Sequence, residues 1–147
     1  MQPTININMT TTHINVVQVN GHVGDHRVET DRNKKAWDTI ADWWEQSQTS
    51  NGADGNDMFT QCLLPEVEKL ANWQDGESVL DLGAGSGIIC RLFAAKGAKV
   101  TGLDYSELML EKARKRSENK GFKHQVEYAY IDLMDFGSMQ EYASKHG

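Results

Sequence analysis

The stretch Val79-Leu80-Asp81-Leu82-Gly83-Ala84-Gly85-Ser86-Gly87 constrains this chain more than any other. A short apolar strand runs into three glycines at alternate positions, and a helical pattern begins directly after them. Glycine at such a junction lets the backbone turn sharply and lets a ligand lie against bare peptide, while the N-terminus of the next helix favours a negative group. A glycine loop alone is a weak signal. Asp104 strengthens it, standing 21 residues beyond Gly83 at the end of the following strand, where a carboxylate can accept from both hydroxyls of a ribose. Together the two features point to a nucleoside-containing cofactor.

Local detail selects among such cofactors. A dinucleotide fingerprint asks for G-x-G-x-x-G, and counting from Gly83 its last position is Ile88. Asp81, just before the loop, would repel a pyrophosphate but attract a cofactor with an ammonium and a sulfonium. S-adenosylmethionine therefore fits better than NAD.

The segments around the loop alternate as a parallel sheet requires. Residues 78–82 form the first strand, Ile88 to Lys96 a helix closed by Gly97, and Lys99 to Leu103 a second strand. Ser106 is placed as the N-cap of a helix carrying Met109, Leu110 and Ala113 inward, and Gly121 ends it. Val126 to Ile131 is a third strand with Asp132 at its end, and Ser138 to Lys145 a last, weaker helix. This order predicts an α/β fold: a Rossmann-like open parallel sheet with flanking helices.

The preceding residues are different. Residues 1–30 hold no aromatic residue and much Thr and Asn; they read as a flexible or hairpin-forming segment, with Asn20-Gly21 as the turn. Residues 31–75 read as a helical lid, with Ala36, Trp37, Ile40, Ala41 and Trp44 on one face. A polar break at Ser47 to Asp57 follows, then a second helix burying Met58, Phe59, Cys62, Leu63, Val67 and Leu70, with Pro65 bending or restarting it. Residues 76–147 form the partial cofactor-binding domain.

Composition removes other classes. No apolar run approaches the roughly 20 residues of a membrane span, and 21 acidic against 15 basic residues, with no basic stripe, argues against nucleic acid. Lys112 to Lys120 is basic but interrupted by Glu, Ser and Asn, which makes it a solvated helix face. Cys62 and Cys90 lie in apolar surroundings without metal-like spacing, so both are expected to be buried thiols. His22, Asp25 and His26 lack a complete ligand set, so no metal site is expected. The N-terminus lacks the basic start and apolar block of a secretion signal, which leaves the cytoplasm as the expected location.

Residues 79–87 (VLDLGAGSG), 100–106 (VTGLDYS) and 127–133 (EYAYIDL) resemble, in order and spacing, the first three motifs of the class I S-adenosylmethionine-dependent methyltransferases. Trp37-Asp38 and Gly55-Asn56-Asp57 resemble the lid of small-molecule members. The resemblance, over about residues 30–136, implies that Asp81 and the backbone of Gly83 and Gly85 hold the methionine moiety of the cofactor, with Ala84 and Gly87 in the same cofactor-binding loop. It further implies that Asp104 takes the ribose hydroxyls, Tyr105 packs on adenine, Asp132 accepts from the adenine amino group and Leu133 lends a backbone amide. Trp37, Trp44 and Phe59 are candidates for the substrate side, although tryptophans in such a group serve more often in packing. No catalytic base is identified.

The chain reaches Gly147 without a fourth strand. In the resembling family that strand lies against the first, so the strand bearing Asp81 is expected to be an exposed edge open to homo- or hetero-association. The preferred reading is the N-terminal, cofactor-binding part of a methyltransferase acting on a small molecule. The alternatives are a non-catalytic adenosyl-cofactor-binding module completed by a partner chain and, less favoured, an NAD-dependent oxidoreductase.

Overall fold

A computed structural model describes residues 26–49 and 59–146, with side chains over 31–44 and 61–146. The hairpin expected near Asn20-Gly21 and the loop through Asp57 lie outside the described residues. Helix α1 spans His26–Thr49; a π-helical turn at Phe59–Leu63 leads into α2, Leu64–Ala71. Three βα units follow: β1 (Ser78–Leu82), α3 (Ile88–Ala94), β2 (Lys99–Asp104), α4 (Glu107–Asn119), β3 (Val126–Tyr130) and α5 (Phe136–His146). No described helix is long and apolar enough to cross a membrane.

The strands are parallel in the order β1-β2-β3, so β2 is central and β1 is an edge, as expected. Register sets Asp81 opposite Gly102, and Gly102 opposite Tyr128. α3 and α4 cover one face through Cys90, Phe93, Ala94, Leu110 and Ala113, all buried, against Val100, Val126 and Tyr128. On the other face Leu80 and Leu82 are 46% and 56% exposed. That face forms an apolar groove with Leu103, Ile131 and the α5 residues Met139, Tyr142 and Ala143.

Local chemistry explains where the elements stop. Ser106 accepts from Met109 N and caps α4, while Gly97 and Gly121 take positive φ just beyond α3 and α4, as expected.

The second helix departs from its expected pattern. Cys62 and Leu63 are exposed, Leu70 is 80% exposed, and the buried residue is Leu64. Pro65 at the start of α2, together with the π turn before it, rotates the face so that the i, i+4 pattern read across Pro65 does not hold. In α1, Ala41 is buried, but Trp37 and Ile40 are only about three-fifths covered. Lys34 and Asp38 turn inward instead.

Candidate functional site

The C-terminal ends of β1 and β2 open under α1 into a cleft of about 240 Å³. Gly83, Ala84, Gly85 and Ser86 form one wall, Asp104 and Tyr105 another, and Trp37 and Trp44 the roof. The tryptophan rings meet edge to face at 5.7 Å. Polar contacts dock α1 here: Ser106 Oγ donates to Asp38, and Lys112 pairs with Asp42 on the helix surface.

The glycine loop is tied to β2 through its own amides. Gly83 N and Ala84 N both donate to Leu103 O, at 2.8 and 2.9 Å. Gly85 N donates to Asp104 Oδ2 at 2.8 Å, and Gly87 N to Ala84 O at 2.8 Å. The other Asp104 oxygen accepts from Ser106 N at 2.9 Å. These amides are spent inside the protein, whereas the carbonyls of Gly83 and Gly85 accept no hydrogen bond from described residues. The loop therefore presents acceptors, suited to a cation, where a pyrophosphate-binding loop presents donors. Gly83 and Gly85 hold φ of +83° and +52°, and a Cβ on either would stand in open space. This is bare backbone that a ligand can approach.

Gly87 does different work. It is buried outside the cleft lining, and a Cβ there would fall 2.2 Å from the Tyr128 hydroxyl. Its glycine is required by the close packing of α3 against β3 and α4. Arg91, on α3, braces the loop from below: its Nη1 donates to Ser86 O at 2.7 Å. Its Nη2 is buried without a hydrogen-bond partner among the described residues.

Asp81 is half-buried beside the loop. Burial pushes its carboxyl above the usual range, the Cys90 thiol donating to Oδ2 at 3.2 Å opposes that, and nearby Asp104 adds to it. An acid whose folded pKa is raised gives full stability below its unfolded value and loses it as pH rises through the folded one. Asp81→Asn is therefore expected to raise the melting temperature at pH 7, with the gain vanishing near pH 3. Calorimetric melts of both chains across that range check this.

The other expected site residues are dispersed. Tyr105 lies on the cleft, its hydroxyl pushed up by burial first and then by Asp104, Asp132 and Asp38. Asp132 is thus near Tyr105, but its Oδ1 accepts from Met134 N in a local turn, and its side chain borders a groove with Ser138 and Glu141. Leu133 faces the apolar groove on the opposite side of the sheet. The structure does not bring these two into the tryptophan-roofed cleft. The Phe59 side chain lies outside the described residues.

Ile88, Ile89 and Met109 also line the cleft. Ile88 and Ile89 follow the glycines directly, so adjacency was an available signal; Met109 carries only the pattern of a core residue. In the sequence Asp38 stands out only as part of the lid-like Trp37-Asp38 pair, and Cys90 only as a buried thiol.

Residues 79–143 match the methyltransferase domain family. The ubiquinone biosynthesis O-methyltransferase of Actinobacillus pleuropneumoniae serotype 5b is 32% identical over 96 residues, 65% of this chain and 39% of the relative. Its counterpart in Bordetella avium is 36% identical over 100 residues, 68% of this chain and 39% of the relative. The chain thus spans about two-fifths of the length of these curated relatives. The solved CcbJ methyltransferase from Streptomyces caelestis shares the fold, with a TM-score of 0.51 and 24% identity over 66% of this chain and 36% of that one. Residues 79–143, with three parallel strands, a glycine loop whose amides are spent internally and an acid ending β2, thus form a methyltransferase domain similar to those of the class I S-adenosylmethionine-dependent methyltransferases.

Proposed function

We propose that this chain supplies the cofactor-binding part of a methyltransferase acting on a small molecule. The observation that carries the reading is the single cleft in which Gly83, Gly85, Asp104 and Tyr105 meet Trp37 and Trp44. The residues fit an adenosyl cofactor with a cationic tail: open carbonyls and the Asp81 carboxylate for the ammonium, Asp104 for the ribose diol, the Tyr105 ring for adenine. Asp104 has two lone-pair positions left after its bonds to Gly85 N and Ser106 N. Asp132 and Leu133 serve adenine if the base extends past Tyr105 toward the end of β3.

S-adenosylmethionine supplies the electrophilic methyl group when bound. The protein's contribution is to hold the donor and acceptor in line and exclude water. Trp37 and Trp44 do this as the roof, held over the cleft by the Asp38–Ser106 contact, with Phe59 proposed on the same substrate side. The O-methyltransferase names of the relatives support an oxygen nucleophile on the acceptor.

Calorimetric titration of the chain tests the reading. S-adenosylmethionine and S-adenosylhomocysteine are expected to bind and NAD is not; tighter binding of NAD would overturn it. A second reading, an adenosyl-binding module completed by another chain, is favoured by the exposed Leu80 and Leu82 on edge strand β1. Cofactor binding with little or no methyl turnover by the chain alone is the expected result. Multiple turnovers without a partner would exclude the second reading.

A further inference from the structure

One row of residues crosses all three strands on the helix-covered face: Asp81 on β1, Gly102 on β2 and Tyr128 on β3. The middle position has no side chain, and the Cys90 thiol from α3 fills that space. A Cβ on Gly102 would lie 2.8 Å from Cys90 Sγ and 2.8 Å from the Tyr128 ring. Cys90 is wholly buried, and its one hydrogen bond toward the site runs to Asp81 Oδ2 at 3.2 Å. Asp81 Oδ1 has no partner among the described residues.

We propose that Cys90 is a positioning residue: its thiol, seated over Gly102, fixes the Asp81 carboxylate so that Oδ1 faces the ammonium of the cofactor. The inference rests on the proposed function, because it assumes that Asp81 meets that ammonium. Alternative uses of the thiol fail on chemistry. Burial first, then the Asp81 charge, push it well above the ordinary thiol range, so it is neither a nucleophile nor readily oxidised. As a small buried donor it suits a carboxylate that must remain both oriented and ionised.

The groups around the pair are few. Asp81 is faced by Cys90 from α3 and Asp104 from β2. Cys90 is faced in turn by Tyr128 from β3 and by Arg91 from its own helix. With the thiol removed, burial and Asp104 act on Asp81 unopposed. Its titration midpoint in Cys90→Ala should therefore rise.

The test compares two ligands on the full chain: S-adenosylhomocysteine, which carries the ammonium, and methylthioadenosine, which does not. Cys90→Ala is expected to weaken S-adenosylhomocysteine by about fivefold, the scale of one modest hydrogen bond, and to leave methylthioadenosine unchanged. Cys90→Ser retains a donor and is expected to restore most of the loss. The ¹³C titration of the Asp81 carboxyl in the free chain should move up in Cys90→Ala and return in Cys90→Ser. Equal weakening of both ligands, or a serine variant no better than alanine, overturns the inference while leaving the proposed function standing. Failure of the unsubstituted chain to bind either ligand overturns both.

Discussion

Gly87→Ala is expected to cost about 2–5 kcal/mol of folding stability, from a left-handed backbone conformation that disfavours a Cβ and from overpacking. The φ of Gly87 is +77°, and its added Cβ would meet the Tyr128 hydroxyl at 2.2 Å, the ring carbon beneath it at 2.9 Å and Ala113 Cβ at 3.1 Å. None of these can retreat easily. The Tyr128 hydroxyl is held by Ser117 Oγ at 2.9 Å, and Ala113 sits fully buried at the centre of α4. Domains of this kind are held by only about 5–15 kcal/mol in total, so the variant should be largely unfolded under mild denaturant. Urea unfolding followed by circular dichroism measures it. Tyr128→Phe on the Gly87→Ala background removes the nearest atom and is expected to recover about 1–2 kcal/mol of the packing cost. Gly83→Ala is the contrasting variant: its φ is also positive, but its Cβ meets nothing within 4 Å. It should lose only about 1–2 kcal/mol, the backbone part alone, and weaken the cofactor instead. Equal stability losses at both positions would show that close packing does not distinguish them.

The same contrast shows what the sequence made legible. Three glycines at alternate positions read as one loop because a strand pattern precedes them and a helix pattern follows. Which glycine faces a ligand and which faces a neighbouring helix depends on Tyr128, 41 residues further on, and no local pattern carries that. The βα units were readable because each ends on a residue with one clear physical use, Gly97, Ser106 and Gly121 among them. Residues 59–71 were less readable, since Pro65 and the π turn break the period that placed Cys62, Leu63 and Leu70 inside. Asp132 and Leu133 were placed by motif order, but they lie beyond the end of β3, in the turn that leads into α5. Asp132 borders one groove along α5 and Leu133 the apolar groove that α5 also lines, so neither reaches the tryptophan-roofed cleft.

Asp104→Ala is expected to remove cofactor binding by about a hundredfold or more, because two charge-assisted hydrogen bonds to the ribose diol contribute about 1.5–3 kcal/mol each. Asp104 is 6% exposed and does a second job: its oxygens hold Gly85 N and Ser106 N, one on the glycine loop and one at the cap of α4. Truncation leaves both amides without their acceptor, at about 1–3 kcal/mol per unsatisfied buried donor. Stability and affinity should therefore fall together, and the affinity must be measured where denaturation curves show the chain still folded. Asp104→Asn separates the two roles. Its single acceptor can satisfy Gly85 N or Ser106 N but not both, and its amide group then opposes the other as donor against donor. It should lose stability nearly as far as alanine, yet keep a weakened ribose contact through its remaining lone pair. Calorimetry with S-adenosylhomocysteine on the folded variants decides the matter. A dissociation constant unchanged by Asp104→Ala would place the ribose elsewhere and leave Asp104 as the tie between the loop and α4 alone.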